Sequence, residues 1–154
     1  MSRKSFHQFD SNCENHNNDK RGTIVLTDIG KSQYKVFNPN KKRVSELKVD
    51  GCLIKIGERC DYLLLVSNDS QFKNKDAYFV ELKGSDLMKA ISQIDASIET
   101  LKGKLNDFKR VFGRIVLTKN NVPDLNNTAI IKLRNKLKKM DGNLIYRVKL
   151  EEQI

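Results

Sequence analysis

Histidine is scarce in this chain. The two residues, His7 and His16, both lie near the N-terminus. A Ser–His–Asp hydrolase is therefore excluded, and a hydrolase built from these residues would need a metal and a lysine for the proton chemistry. Cysteine is also scarce. Cys13, Cys52 and Cys60 are too few, and odd in number, for a disulfide framework, so free thiols in a reducing compartment are expected. Cys52 and Cys60 could face each other across a hairpin, but small buried side chains account for them more simply. Cys13-Glu14-Asn15-His16 has the spacing of half a zinc site. His7 would add a third ligand, but a fourth must come from Cys52 or Cys60, which argues against zinc. Gly30-Lys31-Ser32 lacks the upstream glycine of a phosphate-binding loop. No stretch approaches the ~20 apolar residues of a membrane helix. The first residues lack the apolar core of a signal peptide, so a cytoplasmic location is expected.

What is present is charge. The 154 residues carry a formal net charge of +10, with 38% hydrophobic and 31% charged residues, and the pI is about 9.6. The length suits one domain with one substantial core. The basic excess favours a polyanionic partner, nucleic acid before membrane. Lys102, Lys104, Lys109, Arg110, Arg114 and Lys119 fall after Leu101. A second group follows at Lys132, Arg134, Lys136, Lys138, Lys139, Arg147 and Lys149. Such a surface would bind backbone phosphates without reading sequence. The competing reading is a lysine-rich solvent face.

Residues 1–21 are polar and aperiodic and read as a flexible tail, which leaves 22–154 as the domain. TIVLTD and QYKVF are strand-like. VSELK is either the end of a helix or the start of a strand. VDGCLIKI and CDYLLLV, joined at Gly57–Arg59, read as a hairpin over Val49–Val66, and AYFVELK as the next strand. Ser85 or Asp86 can cap a helix whose apolar face is Leu87, Ile91, Ile94, Ile98, Leu101 and Leu105. RVFGRIVLT is a strand. AIIKLRNKLKKM is a second amphipathic helix that stops at Gly142, and LIYRVKL is a last strand. The predicted fold class is α/β: a mixed central sheet with helices on its faces and a parallel strand–helix–strand crossover.

Strand alternation puts Phe79, Glu81 and Lys83 on one face of YFVELK. Asp61 opens a strand that could neighbour it. Two carboxylates suit a hard cation held by oxygen. A lysine beside them suits stabilisation of a phosphoryl transition state. The plainer alternative is an edge strand whose charges face solvent.

Asp61 followed by Glu81-Leu82-Lys83 resembles the D…(D/E)xK signature of the PD-(D/E)xK nuclease superfamily, which includes restriction endonucleases and Holliday junction resolvases. The resemblance covers roughly Val44 to Thr118. It implies a restriction-endonuclease-like fold and Mg²⁺- or Mn²⁺-dependent hydrolysis of phosphodiesters. It also implies nucleic acid as partner, DNA before RNA, and a homodimer if both strands are cut. It makes Asp61, Glu81 and the Leu82 carbonyl metal ligands, Lys83 the catalytic lysine, and Gln93 a supporting residue. A further acid ahead of the meander would be Glu46 or Asp50. Cys60 stands where the motif has proline, and no long helix precedes the meander. The alternative is a non-catalytic module on the same fold that binds nucleic acid or a protein partner.

Overall fold

The computed structural model describes residues 5–27, 32–82, 86–118 and 127–154. Its main sheet is built from β1 (Glu14–Asp19), β4 (Arg43–Lys48), β5 (Tyr62–Ser67), β6 (Lys75–Leu82), β7 (Arg110–Val116) and β8 (Leu144–Arg147), in that spatial order. β4, β5 and β6 form an antiparallel meander, and β6, β7 and β8 run parallel. The two parallel steps are bridged by α1 (Leu87–Leu101) and α2 (Thr128–Lys139). A second sheet joins β2 (Thr23–Thr27), β3 (Gln33–Phe37) and β9 (Leu150–Gln153). The fold is thus mixed α and β with a mixed multi-strand sheet, as the element order in the sequence predicts.

Both faces of the main sheet are buried, which explains the unbroken apolar run of β5. Leu63, Leu65, Ala77 and Phe79 face α1 and α2, where they meet Ile91, Ile94, Ile98, Leu133 and Leu137. Leu64, Val66, Tyr78 and Val80 face the second sheet and meet Ile24, Leu26, Tyr34 and Val36. The helices therefore occupy one face, not both. The other is covered by strands, because the alternating TIVLT and QYKVF runs each offer a single apolar side.

α1 uses the predicted face, and all six predicted residues are buried. Asp86 is its cap, its side chain accepting from the Lys89 N–H at 3.0 Å. Asn127 caps α2 in the same way, accepting from the Ala129 N–H at 2.9 Å. α2 ends with Asp141 in the left-handed region (φ 59°). Gly142 serves close approach: a Cβ there would lie 1.7 Å from the Val111 carbonyl oxygen on β7. Gly142→Ala should therefore force β7 and the α2–β8 turn apart. A loss of about 3 kcal/mol is expected, near the upper end for overpacking, read as a lower urea midpoint at unchanged slope.

Four expectations need correction. Residues 5–21 are not a tail. Phe6, Phe9 and Cys13 are buried, and β1 pairs with β4 through an irregular register. ENHNND has no apolar alternation, so its pairing rests on backbone and amide contacts, such as the Asn18 N–H to Ser45 Oγ at 3.0 Å. In the same segment, burial and then Lys75 hold the His7 imidazole down at about 4. VDGCLIKI is not a strand. It curls through Gly51 (φ 78°) into a turn closed by Ile54 N–H to Val49 carbonyl at 3.0 Å, so VSELK supplies the first meander strand. LIYRVKL divides at Val148–Lys149 and crosses from one sheet to the other. Finally, Cys13 and Cys52 form a disulfide, with Cα atoms 5.7 Å apart, so only Cys60 is a free thiol.

Candidate active site

β5 and β6 pair with Tyr62 opposite Val80. One residue further along each strand, Asp61 and Glu81 share the opposite face, the side covered by α1. The ladder continues at this end in modified form. The Asp61 N–H donates to the Val80 carbonyl at 3.1 Å. The Leu82 N–H then donates to Asp61 Oδ2 at 2.8 Å. The carboxylate takes the place of the backbone carbonyl that a longer β5 would have offered.

The Asp61 carbonyl accepts from Val49 and Asp50, at 3.0 and 3.4 Å, which ties the turn after β4 to the same point. Glu81 is 1% exposed. Burying a carboxylate this deeply is unfavourable unless donors or a cation accompany it. Cys60 lies beside both acids. Burial pushes its thiol far up, and Glu81 and Asp61 push it further, against the opposing bond to Ser97. The Cys60 N–H donates to Ser97 Oγ at 2.8 Å, and Ser97 in turn donates to the Gln93 carbonyl at 2.8 Å. The loop entering β5 is thereby fixed to the middle of α1.

A cleft of about 490 Å³ opens over this point, lined by Asp50, Gly57, Glu58, Arg59, Asp61, Lys89 and Gln93. Three residues predicted from the sequence, Asp50, Asp61 and Gln93, thus share one concavity, with Glu81 buried on the same face of the sheet. Asp50 accepts from Arg59 Nε at 2.6 Å, an ion pair across the turn.

Glu46 is excluded from the site. It pairs with Leu64 in register and therefore points to the face of the second sheet, where its Oε2 accepts from Asn15 Nδ2 at 3.1 Å. Of the two acids left open from the sequence, Asp50 lines the cleft and Glu46 faces away from it. Lys83 lies outside the described residues. Glu58, Arg59 and Lys89 were not singled out from the sequence. The signal for the first two was the charged Gly57–Arg59 turn, and for Lys89 its place in the first turn of α1. Glu58 accepts a short bond from Ser92 Oγ.

The expected basic surface is largely neutralised where it meets the sheet. Arg110 forms two bonds to the buried Asp76, at 2.9 and 2.6 Å. Arg114 is buried against Glu152 at 2.7 Å. Lys136 pairs with Asp95 and Glu99, and bonds from Lys102 and then Lys136 hold the Glu99 carboxyl down at about 2. The lysines of α2 that remain exposed form its solvent face.

No family model matches this sequence, and neither a curated protein nor a solved structure matches it. No helix among the described residues is long and apolar enough to cross a membrane.

Proposed function

We propose that the chain is a metal-dependent nuclease of the PD-(D/E)xK kind, hydrolysing phosphodiester bonds in DNA before RNA. The observation that carries this reading is the placement of Asp61 and Glu81. They end adjacent strands on one face, beside a cleft that also takes in Gln93 and Asp50. The order supports it too: an antiparallel meander, a helix, then a strand parallel to the third. The resemblance implies this order for the later part of a restriction-endonuclease-like core, whereas the long helix expected ahead of the meander has no counterpart among the described residues, where β1, β2 and β3 come first.

The donor set fits a hard cation in part. Among the described residues, no group of three His, Cys, Asp or Glu side chains could hold a metal. Mg²⁺ commonly takes one or two carboxylates and completes its shell with water, so Asp61, Glu81 and the Leu82 carbonyl would be enough oxygen ligands. When bound, the ion would offset phosphate charge and lower the pKa of a coordinated water. Lys83, two residues beyond Glu81, would orient the attacking water and stabilise charge in the transition state. Lys89 offers a cation on the cleft wall, and Gln93 a neutral amide able to hold water or a phosphate oxygen. The hydrogen bond from Leu82 orients the Asp61 carboxylate.

The second reading is a binding module without catalysis. The depth of Glu81 and the Asp50–Arg59 pair favour it, since both leave the acids serving the fold.

Cleavage assays separate the two. Supercoiled plasmid, branched DNA and single-stranded RNA would each be incubated with Mg²⁺, with Mn²⁺ and with EDTA. Metal-dependent cutting that is lost in Asp61→Ala is the expected result. Equal cutting by wild type and variant, or binding of every substrate without cutting, would sink the enzymatic reading.

A further inference from the structure

A second cleft, of about 440 Å³, opens at the opposite end of the meander. It is lined by Arg43 at the start of β4 and Ser67 at the end of β5, whereas Asp61 precedes the start of β5. The length of a strand, roughly 20 Å at ~3.3 Å per residue, separates it from the acid pair.

Four cations line this cleft: Lys20, Lys41, Lys42 and Arg43. None of them pairs with a carboxylate among the described residues, in contrast to Arg110, Arg114 and Lys136. The one acid among the described residues of the wall, Asp69, is turned to its own loop, where it accepts from the Lys73 N–H at 2.9 Å. The rest of the lining is asparagine and serine, with one aromatic ring, Phe72.

The backbone adds an independent observation. Four non-glycine residues among those described have positive φ: Asn18 (47°), Lys41 (54°), Phe72 (58°) and Asp141 (59°). The first three all line this cleft. Asp141 closes the end of α2, whereas Asn18 lies where the β1–β4 register shifts and Lys41 and Phe72 lie in the connections from β3 to β4 and from β5 to β6, which brings all three to one place. Left-handed lysine and phenylalanine are uncommon, and such residues gather at ligand sites, where the surrounding structure holds them in place.

We propose that this cleft is an anion site that takes the phosphate groups of a nucleotide-sized ligand, with Lys20, Lys41, Lys42 and Arg43 as its cationic wall. Its volume lies within the range of small-ligand sites, and ammonium, guanidinium and amide donors suit phosphate oxygens. The phosphates could belong to a free polyphosphate or nucleotide, or to the backbone of a nucleic-acid strand. The inference does not rest on the acid pair or on catalysis.

Binding would be measured in EDTA, to keep divalent ions out of the first cleft. Tripolyphosphate would be followed by calorimetry, and a fluorescent twelve-nucleotide DNA strand by anisotropy. The variants are Lys41→Gln/Lys42→Gln and, for equal loss of charge elsewhere, Lys132→Gln/Lys138→Gln on the exposed face of α2. The cleft variant is expected to bind at least tenfold more weakly, while the α2 variant binds like wild type. Saturable binding of tripolyphosphate identifies a small-molecule site. Binding of the strand alone identifies a backbone site, whose log–log salt slope should fall by about 1.4 for two lost contacts on a single strand. Equal weakening in both variants, an unaffected cleft variant, or no saturable binding of either probe would overturn the proposal. Circular dichroism of the variants establishes that each is folded.

Discussion

Glu81→Gln is expected to reduce metal-dependent cleavage by at least ~100-fold, within the range for losing one group of a preorganised catalytic site. The substitution keeps the shape of a side chain that is 1% exposed, so the contacts that pack β6 under α1 survive. What changes is charge: a neutral amide is a poor ligand for a hard cation. A second readout separates catalysis from architecture. Metal that binds only the folded state adds about 2.7 kcal/mol of stability at one hundred times its dissociation constant. Wild type should therefore melt at a higher temperature with Mg²⁺ or Mn²⁺ than with EDTA, and Glu81→Gln should show little or none of that shift. Lys83→Ala should give the complementary pattern, with cleavage lost and the metal-induced shift retained. If Glu81→Gln cuts like wild type, the acid pair belongs to the fold and the nuclease assignment fails.

The largest effect on stability is expected at Arg114. This residue is 3% exposed and reaches across the face between the two sheets. Its Nε donates to Glu152 on β9 at 2.7 Å. Its Nη1 donates to the Gly113 carbonyl at 2.9 Å and to Asn143 Oδ1 at 2.7 Å. The guanidinium also lies over the rings of Tyr78 and Phe112, at 5.4 and 5.0 Å from their centroids. Arg114→Ala removes all of these and strands Glu152, which also accepts from the buried Tyr34 hydroxyl. Breaking a fully buried pair from one side costs about 3–5 kcal/mol; the Glu152 side chain is 20% exposed, so the lower part of that range is expected, roughly 10 °C in melting temperature for a chain of this size. Because the penalty arises from the stranded carboxylate, Arg114→Met combined with Glu152→Leu should recover much of it once Tyr34→Phe removes the hydroxyl that Glu152 also accepts from. A triple variant no more stable than Arg114→Met alone would show that the pair is not the source.

The helices and the central strands were legible because their periodicities are physical necessities. α1 repeats apolar residues at steps of three and four. β5 is apolar throughout because both of its faces are covered. Other parts were hidden for equally physical reasons. β1 is written in glutamate, asparagine, aspartate and histidine, and its place in the sheet depends on β4, which follows it in the chain only after β2 and β3. VDGCLIKI has strand composition, but Gly51 at positive φ and the link from Cys52 to Cys13 bend it into a turn. That misreading moved the meander by one strand and left Glu46 a candidate. Once β4 is Arg43–Lys48, alternation alone turns Glu46 away from Asp61. That Asp61 and Glu81 meet on one face of adjacent strands was legible from order and spacing. The place of Lys89 on the cleft wall was hidden because it depends on where α1 docks.

The bridge between Cys13 and Cys52, 39 positions apart, turns the early chain into a covalent ring. β1 and β4 lie in the main sheet and β2 and β3 in the second, so the ring is threaded through both layers of the molecule. A single tryptic cut after the exposed Lys20 would open the ring without releasing either piece. The two fragments would run as one band on a gel until a reductant is added, and each would keep its half of the β1–β4 ladder within reach of the other.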